Sequence, residues 1–184
     1  MSSQRAPGQL ELVRRFVNTH DLDEDTDQVS TPQELERWLR EAGLIGGARR
    51  LDQRDLRRAH ELREALRRLL LANNGAAVDE RALETLNAAL ARASLSVRFD
   101  REGEPALAVT SSGLDAAIAR LASIVYEAKV DGTWPRLKAC PATDCHWAFY
   151  DRSRNSSGTW CSMRVCGNRA KVRAFRERRA GRRG

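Results

Sequence analysis

The chain has 184 residues, 41% hydrophobic and 31% charged, and a formal net charge of +7. Such a composition builds one ordinary globular domain, or one with a small appendage, and excludes a chain disordered throughout. No apolar run approaches bilayer-spanning length, and the opening stretch to Gly8 lacks the apolar core of a secretory leader, so a cytoplasmic protein with no membrane partner is expected.

The first predicted element is a helix over 9–17, whose stripe of Leu10, Leu12, Val13, Phe16 and Val17 ends at Asn18-Thr19. An acidic loop with Asp21, Asp23, Glu24, Asp25 and Asp27 follows. It lacks calcium-loop spacing and is expected to be solvated, or to pack against the basic end of the chain when no polyanion is bound. The next helix marks its own start, with Thr31 as cap, Pro32 in the first helical position and Glu34 placed for a capping box. Leu35, Trp38 and Leu39 form its apolar stripe, and Gly43 is placed to end it as a left-handed cap.

A long helix is predicted over 52–71, with Leu56, Ala59, Leu62, Leu66, Leu69 and Leu70 at three-and-four spacing and arginines on the opposite face. Asn73-Asn74-Gly75 stops it. Asp79 caps a further helix with Leu83, Leu86 and Leu90 on its buried face, and Val78 is placed to staple onto Leu83. The period then changes to two: Leu95, Val97 and Phe99, then Leu107 and Val109, flank a turn-rich 100–105 segment and predict a hairpin. A last helix over 114–130 carries Ile118, Leu121, Val125 and Ala128, and 131–135 break the pattern. The boundary placed there divides a helical domain, 1–132, from a small module, 133–184.

That module holds all four cysteines, Cys140, Cys145, Cys161 and Cys166, as two C-x4-C pairs. In a reducing compartment such a cluster points to a metal, and four thiolates complete a closed tetrahedron around Zn2+, a structural rather than catalytic site. Disulfides or free thiols are the alternatives. His146 adjoins the cluster and reads as a packing or supporting residue. Alternation through 146–150 suggests a strand facing Trp160-Cys161, and most of Trp147, Phe149, Tyr150, Trp160 and Phe175 suit a small core more than exposed stacking platforms.

Charge is concentrated at this end. From Cys161 to Gly184 nine Lys or Arg accompany the single Glu177, whereas residues 1–160 hold twenty-three basic and twenty-four acidic side chains. Residues 168–179 read as a helix, with Val172 and Phe175 facing the module, Arg169, Arg173 and Arg176 on one side, and Lys171 and Arg178 on the other. A basic helix leaving a zinc knuckle suits phosphate clamping, and Arg also reads guanine edges. The expected nucleic-acid contacts are Arg152, Arg154, Arg164, Arg169, Lys171, Arg173, Arg176, Arg178 and Arg179.

The residues Cys140-Pro141, Asp144-Cys145, 149–155 (Phe-Tyr-Asp-Arg-Ser-Arg-Asn), 160–163 (Trp-Cys-Ser-Met) and 166–171 (Cys-Gly-Asn-Arg-Ala-Lys) closely resemble the CGNR zinc-finger family. In that bacterial family the finger follows a domain called ABATE, which the Asn18-Thr19 and Trp38-to-Leu44 segments resemble. The resemblance implies a stress-induced transcription regulator: zinc on the four cysteines, DNA binding by the C-terminal module, and a body that senses a small molecule or dimerises. Asp151 and Asn168 are expected to tie loops or cap a helix, and Arg152 to be paired internally or to read a base. Members carry more arginine where this chain has 156–159 (Ser-Ser-Gly-Thr), which shifts the expected phosphate contacts toward the terminal helix.

The expected fold is mostly α with a small β-hairpin, a helical domain followed by a zinc-ribbon or treble-clef-like module ending in a basic helix. Nothing points to an enzyme: the body's histidines are His20 and His60, and phosphate loop, nucleophile elbow and H-E-x-x-H patterns are missing. DNA is expected ahead of RNA, and a zinc-stabilised protein-interaction module is the remaining alternative.

Overall fold

The computed structural model describes residues 5–47 and 50–180; the N-terminal Met1 to Gln4 and the last two arginines of the basic tail lie outside the described residues. The order is α1 (Leu10–Val17), β1 (His20–Asp21), β2 (Thr26–Asp27), α2 (Pro32–Glu41), α3 (Gln53–Ala72), α4 (Glu80–Leu90), β3 (Leu95–Phe99), β4 (Pro105–Val109), α5 (Gly113–Val130), β5 (Leu137–Ala139), β6 (Ala148–Tyr150) and α6 (Asn168–Ala180). A 3-10 turn at Trp134–Arg136 precedes β5, and a π-helical turn at Met163–Gly167 leads into α6. The strands form three separate antiparallel pairs, β1-β2, β3-β4 and β5-β6. The molecule is therefore mostly helical with small hairpins, as expected. No described helix is long and apolar enough to cross a membrane.

Local chemistry sets most boundaries. Thr31 Oγ1 accepts from the Glu34 amide at 3.2 Å while Glu34 Oε2 accepts from the Thr31 amide at 3.0 Å, the reciprocal capping box that starts α2. Gly43 adopts φ +68 just past the end of α2, a conformation that costs a side-chain-bearing residue about 1–2 kcal/mol. Asp52 and Asp55 make a second capping box at α3, and Asp79 accepts from the Ala82 amide at α4. On α4 the buried residue is Ala82, whereas Leu83 and its expected staple partner Val78 are both exposed. Leu86 and Leu90 pack only partly against the core, so the buried face is rotated from the expected one.

One apolar core runs through the molecule. Phe16, Leu35, Leu39, Leu70, Ile118 and Leu121 are fully buried in it, and the Phe16 and Trp38 rings meet at 5.5 Å. Trp134, Leu137, Ala139, Ala148 and Tyr150 belong to the same cluster. The β5-β6 pair of the cysteine module is thus built onto the body rather than hung from it.

One sequence expectation fails here and another holds only in part, for one physical reason. Arg63 and Arg67 of α3, expected to point at solvent, are 3% and 2% exposed. The acidic segment, expected to be solvated or to pack against the basic end of the chain, leaves Asp23, Glu24 and Asp25 exposed, but it forms the β1-β2 hairpin and turns Asp27 inward, where it accepts two bonds from Arg63 at 2.7 and 2.8 Å. Burial is tolerable because all three nitrogens of each guanidinium are hydrogen-bonded. Arg63 also reaches Thr19 and Glu64, and Arg67 donates to Glu64 and to the Val17, His20 and His146 carbonyls. Burial alone would raise the Glu64 and Asp27 pKa values, but Arg67 and Arg63 hold Glu64, and Arg63 holds Asp27, below the ordinary carboxylate value.

A candidate metal centre and its basic helix

The cysteine site is assembled from two knuckles. Cys140 follows β5, where its amide bonds the Trp147 carbonyl at 3.0 Å, and the Cys145 amide returns to the Ala142 carbonyl at 3.0 Å. His146 continues this tight turn with φ +46, and its carbonyl is held by Arg67 at 3.1 Å. The second knuckle is the π-helical turn: Ser162 Oγ accepts from the Val165 amide, and Cys166 sits in the turn immediately before α6. Gly167 is buried beside Met163, and an added Cβ would lie 2.8 Å from Met163 Sδ, so the exposed thioether would have to swing aside.

All four sulfurs lie within 4.8 Å of one another. Cys145 to Cys161 and Cys161 to Cys166 are both 3.6 Å. Sulfurs at the corners of a zinc tetrahedron, each about 2.3 Å from the ion, stand about 3.8 Å apart, so the arrangement has the size the ion needs. Hydrogen bonds from Cys145 and Cys161 make Cys140 a strong acid, at about 2. Its hydrogen bond in turn pushes Cys145 up to about 12 and Cys161 higher still. Packed thiols resist ionising together until a divalent cation sits among them. Trp147 and Trp160 pack against this cluster and Phe149 and Tyr150 are buried, so these rings are core, as expected. His146 is no part of the donor set. Burial, then the Arg67 and Arg68 charges, depress its imidazole pKa.

Behind the cysteines lies a polar hub. Lys138, buried on β5, has three ammonium protons and finds three acceptors: Asp151 Oδ2 at 2.8 Å, Ser156 O at 2.6 Å and Gly158 O at 2.9 Å. Asp151 also accepts from the Ser153 and Gly158 amides. Burial opposes its ionisation, but Lys138 and these amides win and lower it to about 2. Asp151 therefore ties down the 153–158 loop, as expected, and Gly158 is required because a Cβ would lie 2.7 Å from Asp151 Oδ1. The strand partner of β6 is β5, not Trp160-Cys161. A three-residue strand gives too few alternations for sequence to reveal it.

Residues that sequence reasoning missed lock this module to the body. Asn18 pairs with Ala148 as a strand neighbour would, donating to its carbonyl at 2.8 Å and accepting from its amide at 2.7 Å. Asn73 donates to the Trp134 and Leu137 carbonyls, and Asn74 to those of Ala139 and Thr159. Two adjacent asparagines ending a helix also read as a stop signal, which hid this role.

The basic side chains fall into groups. Arg164, Arg169, Arg173 and Arg176 line one open groove of about 650 Å³ together with Val165, Val172 and Glu177. Lys171, Arg178 and Arg179 are exposed elsewhere on α6, and Arg179 lies over the Phe175 ring. Val172 and Phe175 do not face the module: they are about half exposed. The small Ala170 and Ala174 take the inward side, in a cleft shared with Pro141 and Trp160. Arg152 reaches the Arg5 carbonyl at 2.9 Å and stacks on Tyr150, which is the internal pairing expected of it. Arg154 is exposed on the loop that follows β6, and the Asn168 amide caps back to the Arg164 carbonyl.

Residues 136–179 match the CGNR zinc finger, and residues 10–129 match ABATE, whose description is "Putative stress-induced transcription regulator". No curated protein matches the chain. Four cysteines positioned for a metal ion, in a finger of this type, are a Zn2+ site. With its body and its cysteine module both accounted for, the chain belongs to the ABATE family and carries a C-terminal CGNR zinc finger.

Proposed function

We propose that the protein is a DNA-binding transcription regulator in which zinc fixes the direction of α6 and α6 supplies the contacts. One observation carries this reading: Arg164, Arg169, Arg173 and Arg176 converge on a single groove along a helix whose outer surface is otherwise unpacked. Guanidiniums spaced along an exposed helix match phosphates bordering the major groove, and valines between them match thymine methyl groups. The division of labour follows the 132/133 boundary, with the body as a dimerising or effector-binding unit. An open cleft of about 610 Å³ between α3 and α4, lined by Arg58, Arg68, Arg81, Glu61 and Asp79, lies on that body. The reading is non-enzymatic and cytoplasmic: a four-thiolate site offers no open coordination position for substrate.

The test is binding of the zinc-loaded chain to a DNA duplex across a salt series. Four phosphate contacts predict a log–log slope of about −3 to −4, and changing Arg173 and Arg176 to alanine makes it shallower by about 2. A salt-independent affinity rejects the electrostatic mechanism. Preferential competition by single-stranded RNA favours the RNA reading, and a failure to bind either nucleic acid at low salt favours a protein partner.

A further inference from the structure

The β1-β2 hairpin and the first turn of α6 are far apart in sequence but meet directly. Asp23 presents both carboxylate oxygens to Arg169, at 2.9 Å to Nη1 and 3.0 Å to Nη2, and Asp144 stands 3.4 Å from Nη1. The planar fork-to-fork geometry is the one a guanidinium uses to hold a phosphate.

Nor is Asp23 on a loose loop. Asp21 Oδ1 accepts from the Asp23 and Glu24 amides, which fixes the turn. The hairpin base is anchored by the Asp27 pair with the buried Arg63. The carboxylate is therefore held in place by the body, while Arg169 is held by the zinc module. Exposed ion pairs of this kind are weak and yield to a competing anion.

We propose that Asp23 is a built-in phosphate surrogate, occupying the Arg169 fork until a nucleic-acid phosphate displaces it. The inference rests on α6 being the DNA-contacting element and adds how that element is regulated. The masked arginine raises the threshold for loose, non-specific attachment, because every engagement through Arg169 must first displace a carboxylate. It also gives the body a handle on the reader: a shift of the hairpin through Asp27 and Arg63 changes the availability of Arg169 without touching the zinc.

Asp23 and Arg169 are exposed, so substitutions there leave the core intact. Binding of the zinc-loaded full chain to a mixed-sequence DNA duplex is measured at low salt for wild type, Asp23→Asn, Asp23→Asn with Arg169→Ala, and Asp25→Asn. Asp25 lies on the same hairpin at φ +51, where asparagine fits well, so that variant removes a like charge without touching the fork. Asp23→Asn tightens binding about two- to fivefold, the release of one exposed pair. Adding Arg169→Ala abolishes the gain, and Asp25→Asn stays near wild type. An Asp23→Asn affinity equal to wild type, or an equal gain from Asp25→Asn, overturns the surrogate while leaving DNA binding standing. Failure of wild type and Asp23→Asn alike to bind DNA overturns both.

Discussion

Two helices in this molecule are rich in arginine, and they use it in opposite ways. On α3, Arg63 and Arg67 lie inside the apolar stripe and are buried, with all three nitrogens of each guanidinium bonded to carboxylates, backbone carbonyls or the Thr19 hydroxyl. On α6, Arg173, Arg176 and Arg178 stay exposed. Buried, a guanidinium is a multidentate bolt whose removal strands its partners in low dielectric. Exposed, it is a screened charge whose worth depends on what arrives from solution. The same side chain thus holds the body together in one helix and waits for a ligand in the other.

The widest separation between the two regions comes from stripping the metal. Zinc sites of this class supply about 10–16 kcal/mol, so chelation unfolds the Cys140–Cys166 knuckles and frees α6. The body helices, secured through α3, keep their far-ultraviolet dichroism. Loss of the whole helical signal on chelation contradicts this division. Next in size is Arg67→Ala, which takes the donor from Glu64 Oε2 and from three carbonyls. It costs about 3–5 kcal/mol in denaturant unfolding.

Asp27→Asn gives a smaller, pH-dependent effect. The Asp27 pKa is depressed in the folded protein, so its contribution is complete above the ordinary carboxylate value and is lost as pH falls through the depressed one. The stability gap between wild type and Asp27→Asn is therefore constant near neutrality and closes in acid, below about pH 4. A gap that widens on acidification reverses the assignment. Last comes the joint change of Arg173 and Arg176 to alanine, which moves stability by no more than about 0.5 kcal/mol while weakening DNA binding. A large loss of stability there makes α6 a structural helix.

Much of this was readable in the residues. Thr31-Pro32-Glu34 announces α2, alternation about the 100–105 turn announces β3-β4, and the cysteine spacing announces the metal. The buried arginines were readable too, in hindsight. Counting three and four from Leu56 through Ala59 passes through Arg63 before Leu66 and Leu70, which puts a charge in the stripe. What hides its fate is that its partners, Thr19 and Asp27, lie more than thirty residues away, and periodicity carries no information about distant partners. The misjudged side of α6 has a different cause. Val172 and Phe175 look like a buried pair by polarity, but the helix turns Ala170 and Ala174 toward the cleft beside the knuckle and leaves that pair about half exposed.

The asparagine contacts carry a consequence for divergence. Asn18, Asn73 and Asn74 grip the module solely through its main chain, at Trp134, Leu137, Ala139, Ala148 and Thr159. Peptide groups are the same whatever side chains they bear. Mutations on the outward surface of the module can therefore accumulate, and its proposed nucleic-acid preference drift, without loosening the joint that aims it.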